Sequence, residues 1–276
     1  MSDLQTYRET RTLFPRAGFF GVLTLQGEKM LAEAVPGISP DSEEMQAVRA
    51  IGPVQCLALC AQLCSICTPF DASALYRCFL VATTPPPAQS SITSVPIDRH
   101  GHGADSSSPS SSSPAAVEIK PDPPLPIHGC HFWKNGDVSV RIQRRNSMFD
   151  HARASYVHPL AAANLSRTYW DGNPRLADCA QSEAALEWRL IADTLGWTGQ
   201  NTAKLYPLAE FSLDVPSSSS FPYCSPSEYH DAVEQVRSIT LQAWKHRFQH
   251  MARDDVPADT YSHVCYTEPL ATATFL

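Results

Sequence analysis

The residues best suited to chemistry are cysteines. Cys56, Cys60, Cys64 and Cys67 recur at spacings of four, four and three. On a helix, at about 100° per residue, that spacing puts all four on one narrow stripe. Leu59, Leu63 and Ile66 flank the stripe, and Gln55, Gln62 and Ser65 lie opposite. A row of thiols suits a soft metal or redox exchange, and Cys64-Ser65-Ile66-Cys67 has the CxxC spacing of such sites. Structural zinc sites also take a second ligand pair and a turn around each pair, and neither is visible here. The stripe is therefore read as small apolar side chains packed in a core. A metal- or thiol-dependent enzyme using Cys56–Cys67 is the alternative, and reversible acylation of the same thiols is a third reading.

Histidines offer a second candidate. His246 and His250 are four apart on an expected C-terminal helix, so both can face one metal. Arg247 follows His246, so the HExxH pattern of zinc hydrolases is absent. The pair falls at the border of the apolar face, where two edge histidines need no ligand. His128 and Cys130 share a face if their segment is a strand, and would complete a four-ligand set if the fold brings them to the helix. No cofactor is expected; zinc is the metal such a set would hold. The sequence has ten histidines and nine cysteines, so chance Cys/His pairs are many. It shows no nucleophile elbow, Gly-rich phosphate loop or paired-carboxylate motif.

Three short motifs point to regulation. Arg144-Arg145-Asn146-Ser147-Met148 matches the pattern favoured by basophilic kinases, with two arginines, a spacer, the acceptor serine and an apolar residue. Ile119-Lys120-Pro121-Asp122 has the form used for conjugation of small ubiquitin-like modifiers. Ser108-Pro109 and Ser113-Pro114 resemble sites of proline-directed kinases. Each of these patterns also arises by chance.

The elements that must position these residues follow from patterning. Residues 17–26 are apolar enough for a buried strand. A short helix begins around Pro40–Glu44 and runs to about Ala50, and Gly52-Pro53 starts the next, Cys-rich helix to about Cys67. Residues 71–82 read as a helix, or as a strand in their second half. In CHFWKNGDVSVRIQ, Asn135-Gly136 supplies the positive φ angles of a two-residue hairpin turn. Val138, Val140 and Ile142 alternate with Ser139 and Arg141, as in a half-buried strand. Ser182 caps a helix closed near Gly196. Ser225-Pro226-Ser227-Glu228 is a capping box opening a helix to about Arg253, with Tyr229, Ala232, Val233, Val236, Ala243, Trp244 and Met251 on its apolar face.

Residues 83–126 break this pattern. They hold 10 of the 23 prolines and 10 serines, and no aromatic residue. Such a stretch buries too little apolar surface to offset its conformational entropy, so it is expected to be a disordered linker. It separates a helix-rich segment with one strand (1–82) from an α+β segment (127–276). The net charge of −7 argues against nucleic acid and anionic membranes as partners. The uncharged stretch 51–70 approaches spanning length but carries glutamines and prolines, so no membrane span is expected. The polar N-terminus lacks a secretory core, and free thiols in a cytoplasmic or nuclear protein are expected.

Phe132–Val140, with Phe149 beyond it, resembles the opening strands of fungal BTB/POZ domains. Asp171-Gly172-Asn173-Pro174-Arg175-Leu176-Ala177-Asp178 is similar to a later piece of that pattern. The resemblance implies an α/β dimerisation and partner-docking module.

The fold expected is α+β: a small antiparallel sheet with a hairpin at 130–142, packed on several helices and interrupted by the linker. The function expected is a non-catalytic protein–protein interaction or regulatory module of a eukaryotic cell, with protein partners and a modifiable linker.

Overall fold

The computed structural model describes residues 11–65, 68–88, 90, 92–97, 119–158, 161–162, 164–165, 206–216 and 223–254. Its strands are β1 (Phe20–Leu25), β2 (Gln55–Leu63), β3 (Ser73–Ala82), β4 (Ser94–Pro96), β5 (His131–Gln143) and β6 (Leu208–Ser212). Its helices are α1 (Gly27–Ala34), α2 (Glu43–Ile51) and α3 (Pro226–Asp254).

Five strands close into a ring. β1 pairs with β2, β2 with β3, and β3 with β5, all antiparallel. β5 pairs in parallel with β6, and β6 returns antiparallel to β1. β4 adds to the outer part of β5. This mixed β-barrel replaces the expected small antiparallel sheet packed on helices. The expectation failed because a strand in a barrel wall is buried on both faces. It then reads as a continuous apolar run, which periodicity cannot tell from a buried helix.

The Cys-rich segment shows this directly. It is strand β2, not a helix: Cys56, Ala58 and Cys60 face one way while Leu57 and Leu59 face the other, and all five are fully buried. A four-residue spacing repeats on a strand face as well as on a helix face. The cluster holding Cys56, Ala58 and Cys60 draws side chains from all five ring strands, including Leu23, Cys78, Val140 and Phe211, and so fills the barrel. Barrel diameter grows with strand number, so a five-stranded ring is narrow, which favours small residues such as Ala58, Ala74 and the cysteines inside.

The expected hairpin is also absent. β5 runs unbroken through Asn135-Gly136, and Gly136 is not among the left-handed glycines. The pairing with β3 slips instead, from Phe79 opposite Asp137 to Val81 opposite Phe132, so residues 133–136 form a bulge. A Cβ at Gly136 would lie 3.0 Å from the Trp133 carbonyl oxygen and 3.4 Å from Pro226 Cβ. Glycine therefore serves close backbone approach at a bulge beside the start of α3.

Other elements match the sequence. β1 lies within 17–26; in 71–82 the strand alternative holds and the helix does not, with β3 covering Ser73–Ala82 rather than the second half alone. Ser42 caps α2 by accepting from the Met45 amide. At α3, Ser225 N–H donates to Glu228 Oε2 at 2.6 Å and Glu228 N–H donates to Ser225 Oγ at 3.3 Å, which is the expected capping box. Tyr229, Ala232, Val233, Val236 and Ala243 are buried on that helix. The helix expected at 182–196 lies outside the described residues.

Strands from both sides of residues 83–126 build the one barrel. The described flanks of that stretch pack on it: Val95 pairs with Phe132, Ile119 and Leu125 are buried, and Asp122 exchanges backbone bonds with Tyr156. These flanks were expected to be linker. Residues 98–118 lie outside the described set.

Candidate functional site

The thiols occupy the barrel, in two pairs. Cys60 and Cys78 are directly opposed on β2 and β3, and Cys56 lies against Cys224, its thiol 3.4 Å from the Cys224 carbonyl oxygen. None of these cysteines is in a disulfide. Burial pushes the Cys56 and Cys60 thiols well above the ordinary range, with the neighbouring cysteine adding to the effect. Burial also raises Cys130, to about 11. A nucleophilic or metal-binding cysteine needs a stabilised thiolate and access; Cys56, Cys60 and Cys130 have neither. Cys64 is exposed, its thiol also raised by desolvation. Cys67 lies outside the described residues.

The histidine set is dispersed as far as it is described. His246 is exposed on α3, with Nδ1 3.4 Å from Glu44 Oε1 on α2. Cys130 is buried in a second cluster with Phe20, Phe79 and Phe132, on the other face of the wall. His128 is exposed. His250 belongs to α3, but its side chain is outside the description. Among the described residues, no three His, Cys, Asp or Glu side chains gather as a metal site. Lys120 and Ser147 are both exposed, while Ser108 and Ser113 are outside the described residues.

The feature that sequence reading missed is an apolar cleft of about 470 Å³. Its floor is Tyr76 of β3, a buried side chain whose hydroxyl donates to the Pro15 carbonyl at 2.7 Å. Phe14 and Pro15 form one wall; Leu63, at the end of β2, and Pro69 form the other. Two large apolar side chains stay in water: Leu63, in the lining, is 42% exposed, and Phe70, which follows the lining residue Pro69 in sequence, is 92% exposed. Arg16 also lines the cleft, and Arg144 donates to the Pro69 carbonyl at its rim. The only sequence signal was Thr68-Pro69-Phe70, an aromatic in a turn with no periodic partner.

The segment 144–150 ties both walls together. On one side, Arg144 N–H donates to the Ala72 carbonyl at 2.9 Å. On the other, Thr12 and Phe149 exchange backbone bonds at 3.2 and 2.7 Å, and Arg11 meets Asp150 at 3.4 Å. His151, buried, accepts from the Arg16 amide at 3.2 Å and packs edge-on against Phe19.

Comparison with protein-family models, curated proteins and solved structures finds no match. Of the two pieces that resemble BTB/POZ domains, Phe132–Val140 lies within the single strand β5, and Asp171–Asp178 is outside the described residues. No helix among the described residues is long and apolar enough to cross a membrane.

Proposed function

We propose that this chain is a non-catalytic protein-binding module whose cleft beside Tyr76 receives an apolar segment of a partner protein. The observation behind this reading is the exposure of Phe70 and Leu63 around a preformed apolar cleft. A solvated phenylalanine forgoes about 2 kcal/mol of burial unless something covers it. The arginines Arg16 and Arg144 stand beside the cleft although the whole chain is acidic. That charge pattern favours a partner segment with Asp or Glu next to its apolar residues. The buried, protonated thiols weigh against the thiol-enzyme alternative. Lys120 is exposed, but Ile119, the apolar residue of its motif, is fully buried, which weighs against conjugation at that lysine.

The test places a photo-crosslinking amino acid at Phe70 of the full chain in a eukaryotic lysate. The expected result is a discrete adduct mapped to an apolar, acid-flanked partner segment and lost in Leu63→Asp, with thermal unfolding of the variant unchanged. An adduct only to a second copy of this chain, or adducts unaffected by Leu63→Asp, would overturn the reading.

A further inference from the structure

We propose that Ser147 is a phosphoryl acceptor for an arginine-directed protein kinase using ATP, and that phosphate there releases the Pro69 wall of the cleft. Its consequence for docking rests on the function proposed above; the modification itself does not.

The acceptor is presented as such a kinase needs it. β5 ends at Gln143, so Arg144–Met148 lies beyond the sheet ladder. Asn146 and Ser147 form a bend with both side chains exposed, and the following Met148 is 56% exposed. Kinase recognition reads the two upstream arginines as charges and the downstream residue as an apolar contact. Neither arginine is locked in the interior. Arg144 is exposed and bonds a carbonyl oxygen, and Arg145 meets Glu210 at 3.7 Å, with Glu210 nearly half in water. Surface pairs of that kind are weak enough for an acidic kinase groove to replace. The Arg145 guanidinium carbon also lies 5.7 Å over the Phe149 ring, a second surface contact that the kinase groove must replace.

The step balances without a further reagent. Ser147 Oγ attacks the γ-phosphorus of ATP, the new O–P bond forms, and the bond to the β,γ-bridging oxygen breaks. ADP leaves, and the hydroxyl proton passes to the kinase base. The product carries roughly −1.5 to −2 charges at neutral pH beside Arg144 and Arg145.

The location gives the charge its consequence. Arg144 holds the Pro69 side of the cleft through two bonds, its backbone N–H to Ala72 and its guanidinium to the Pro69 carbonyl. A phosphate three residues away is a stronger acceptor for that guanidinium than a neutral carbonyl. Drawing Arg144 to it removes the side-chain tether on the 68–72 turn, leaving its internal bonds: Asp71 N–H to the Thr68 carbonyl at 3.1 Å, Thr68 N–H to Asp71 Oδ2 at 2.5 Å and Phe70 N–H to Thr68 Oγ1 at 3.3 Å. The opposite wall is held by the Thr12–Phe149 backbone pair, for which a phosphate does not compete, and its Arg11 guanidinium is paired with the Asp150 carboxylate rather than with a neutral carbonyl.

The experiment treats the folded full chain with an arginine-directed kinase and ATP, maps the phosphate by mass spectrometry, and follows amide hydrogen exchange. Expected are one phosphate on Ser147 and none there in Ser147→Ala. Incorporation should fall by at least about tenfold in Arg144→Ala/Arg145→Ala. The Asp71 and Arg144 amides should exchange at least about tenfold faster after phosphorylation, with the β3 amides 79–81 unchanged. Phosphate on Ser147 only after denaturation, or phosphate with unchanged exchange at Asp71 and Arg144, would overturn the proposal. Both readouts are free of any docking partner, so they fail separately from crosslinking at Phe70.

Discussion

Cys60 and Cys78 face each other across β2 and β3 inside a closed barrel, thiol beside thiol and fully buried, yet unbonded. Opposed residues of an antiparallel pair have Cα atoms about 4.5–5.5 Å apart, which is within disulfide range. What separates them from a redox couple is access and charge. Both side chains are shut off from solvent, and burial disfavours the Cys60 thiolate that would attack.

Thiol accessibility should therefore split sharply. Site-resolved alkylation of the native protein is expected to modify Cys64 and to spare Cys56, Cys60, Cys78 and Cys130 until denaturant is added. The buried thiols should react slower on the order of a thousandfold, since reaction requires opening the barrel. Native reaction of Cys60 at a rate near that of Cys64 would mean that the ring is not closed.

Gly21 tests the closure from the opposite side. A Cβ there would lie 2.4 Å from the Ser212 carbonyl oxygen and 2.6 Å from the Phe211 ring. Backbone cannot yield as a flexible side chain can, so Gly21→Ala must part β1 from β6. A loss above about 2 kcal/mol is expected in urea unfolding. Gly52 is the control. It has φ +77 and ψ −177, a conformation essentially confined to glycine, with open space around it, so Gly52→Ala should cost about 1–3 kcal/mol through backbone strain alone, without touching the ring. A Gly21→Ala loss below about 0.5 kcal/mol would argue against the β1–β6 pairing.

The sequence was most legible where a local rule acts alone. The Ser225/Glu228 box, the Ser42 cap and the buried face of α3 each follow from neighbours in the chain. It was least legible where burial on two faces erases periodicity, as at Cys56–Cys60, or where one dipeptide serves two geometries. Asn135-Gly136 suits a hairpin turn, but β3 continues past it as a partner and the glycine is used at a bulge. The cleft was invisible because its walls, Phe14–Pro15 and Leu63–Pro69, are some fifty residues apart and meet only once β3 places Tyr76 between them.

Arg141 shows the same limit in charge. Alternation assigns it to the outer face of β5, yet it is 4% exposed, with Nε donating to the Tyr206 carbonyl at 3.1 Å and Nη2 to Glu33 Oε2 at 2.7 Å. The Glu33 side chain is 36% exposed, so solvent screens part of the pair. Glu33→Ala should cost about 1–2 kcal/mol by leaving a buried guanidinium short of its partner. In an Arg141→Met background the same change should cost under about 0.5 kcal/mol, because the charge is gone. A double-mutant cycle in urea measures the difference; equal costs in both backgrounds would dismiss the coupling.

His230 should make stability fall on mild acidification. Its Nε2 is buried without a hydrogen-bond partner, and burial pushes its pKa below the ordinary 6.5. Asp137 on β5 and Glu234 and Asp231 on α3 pull it upward, while Arg237 pulls it down, and burial outweighs them. The unfolded chain then binds a proton near pH 6.5 that the folded chain refuses, so stability is full above that pH and declines as pH drops toward the folded pKa. The carboxylates Glu44 and Glu228 act in a lower window. Backbone hydrogen bonds hold both below 4.5, so their contribution persists to that pH and is lost beneath it. Urea midpoints across pH 7.5 to 5 should slope downward in the native protein and flatten in His230→Gln. A slope that survives the substitution would assign the effect to another group.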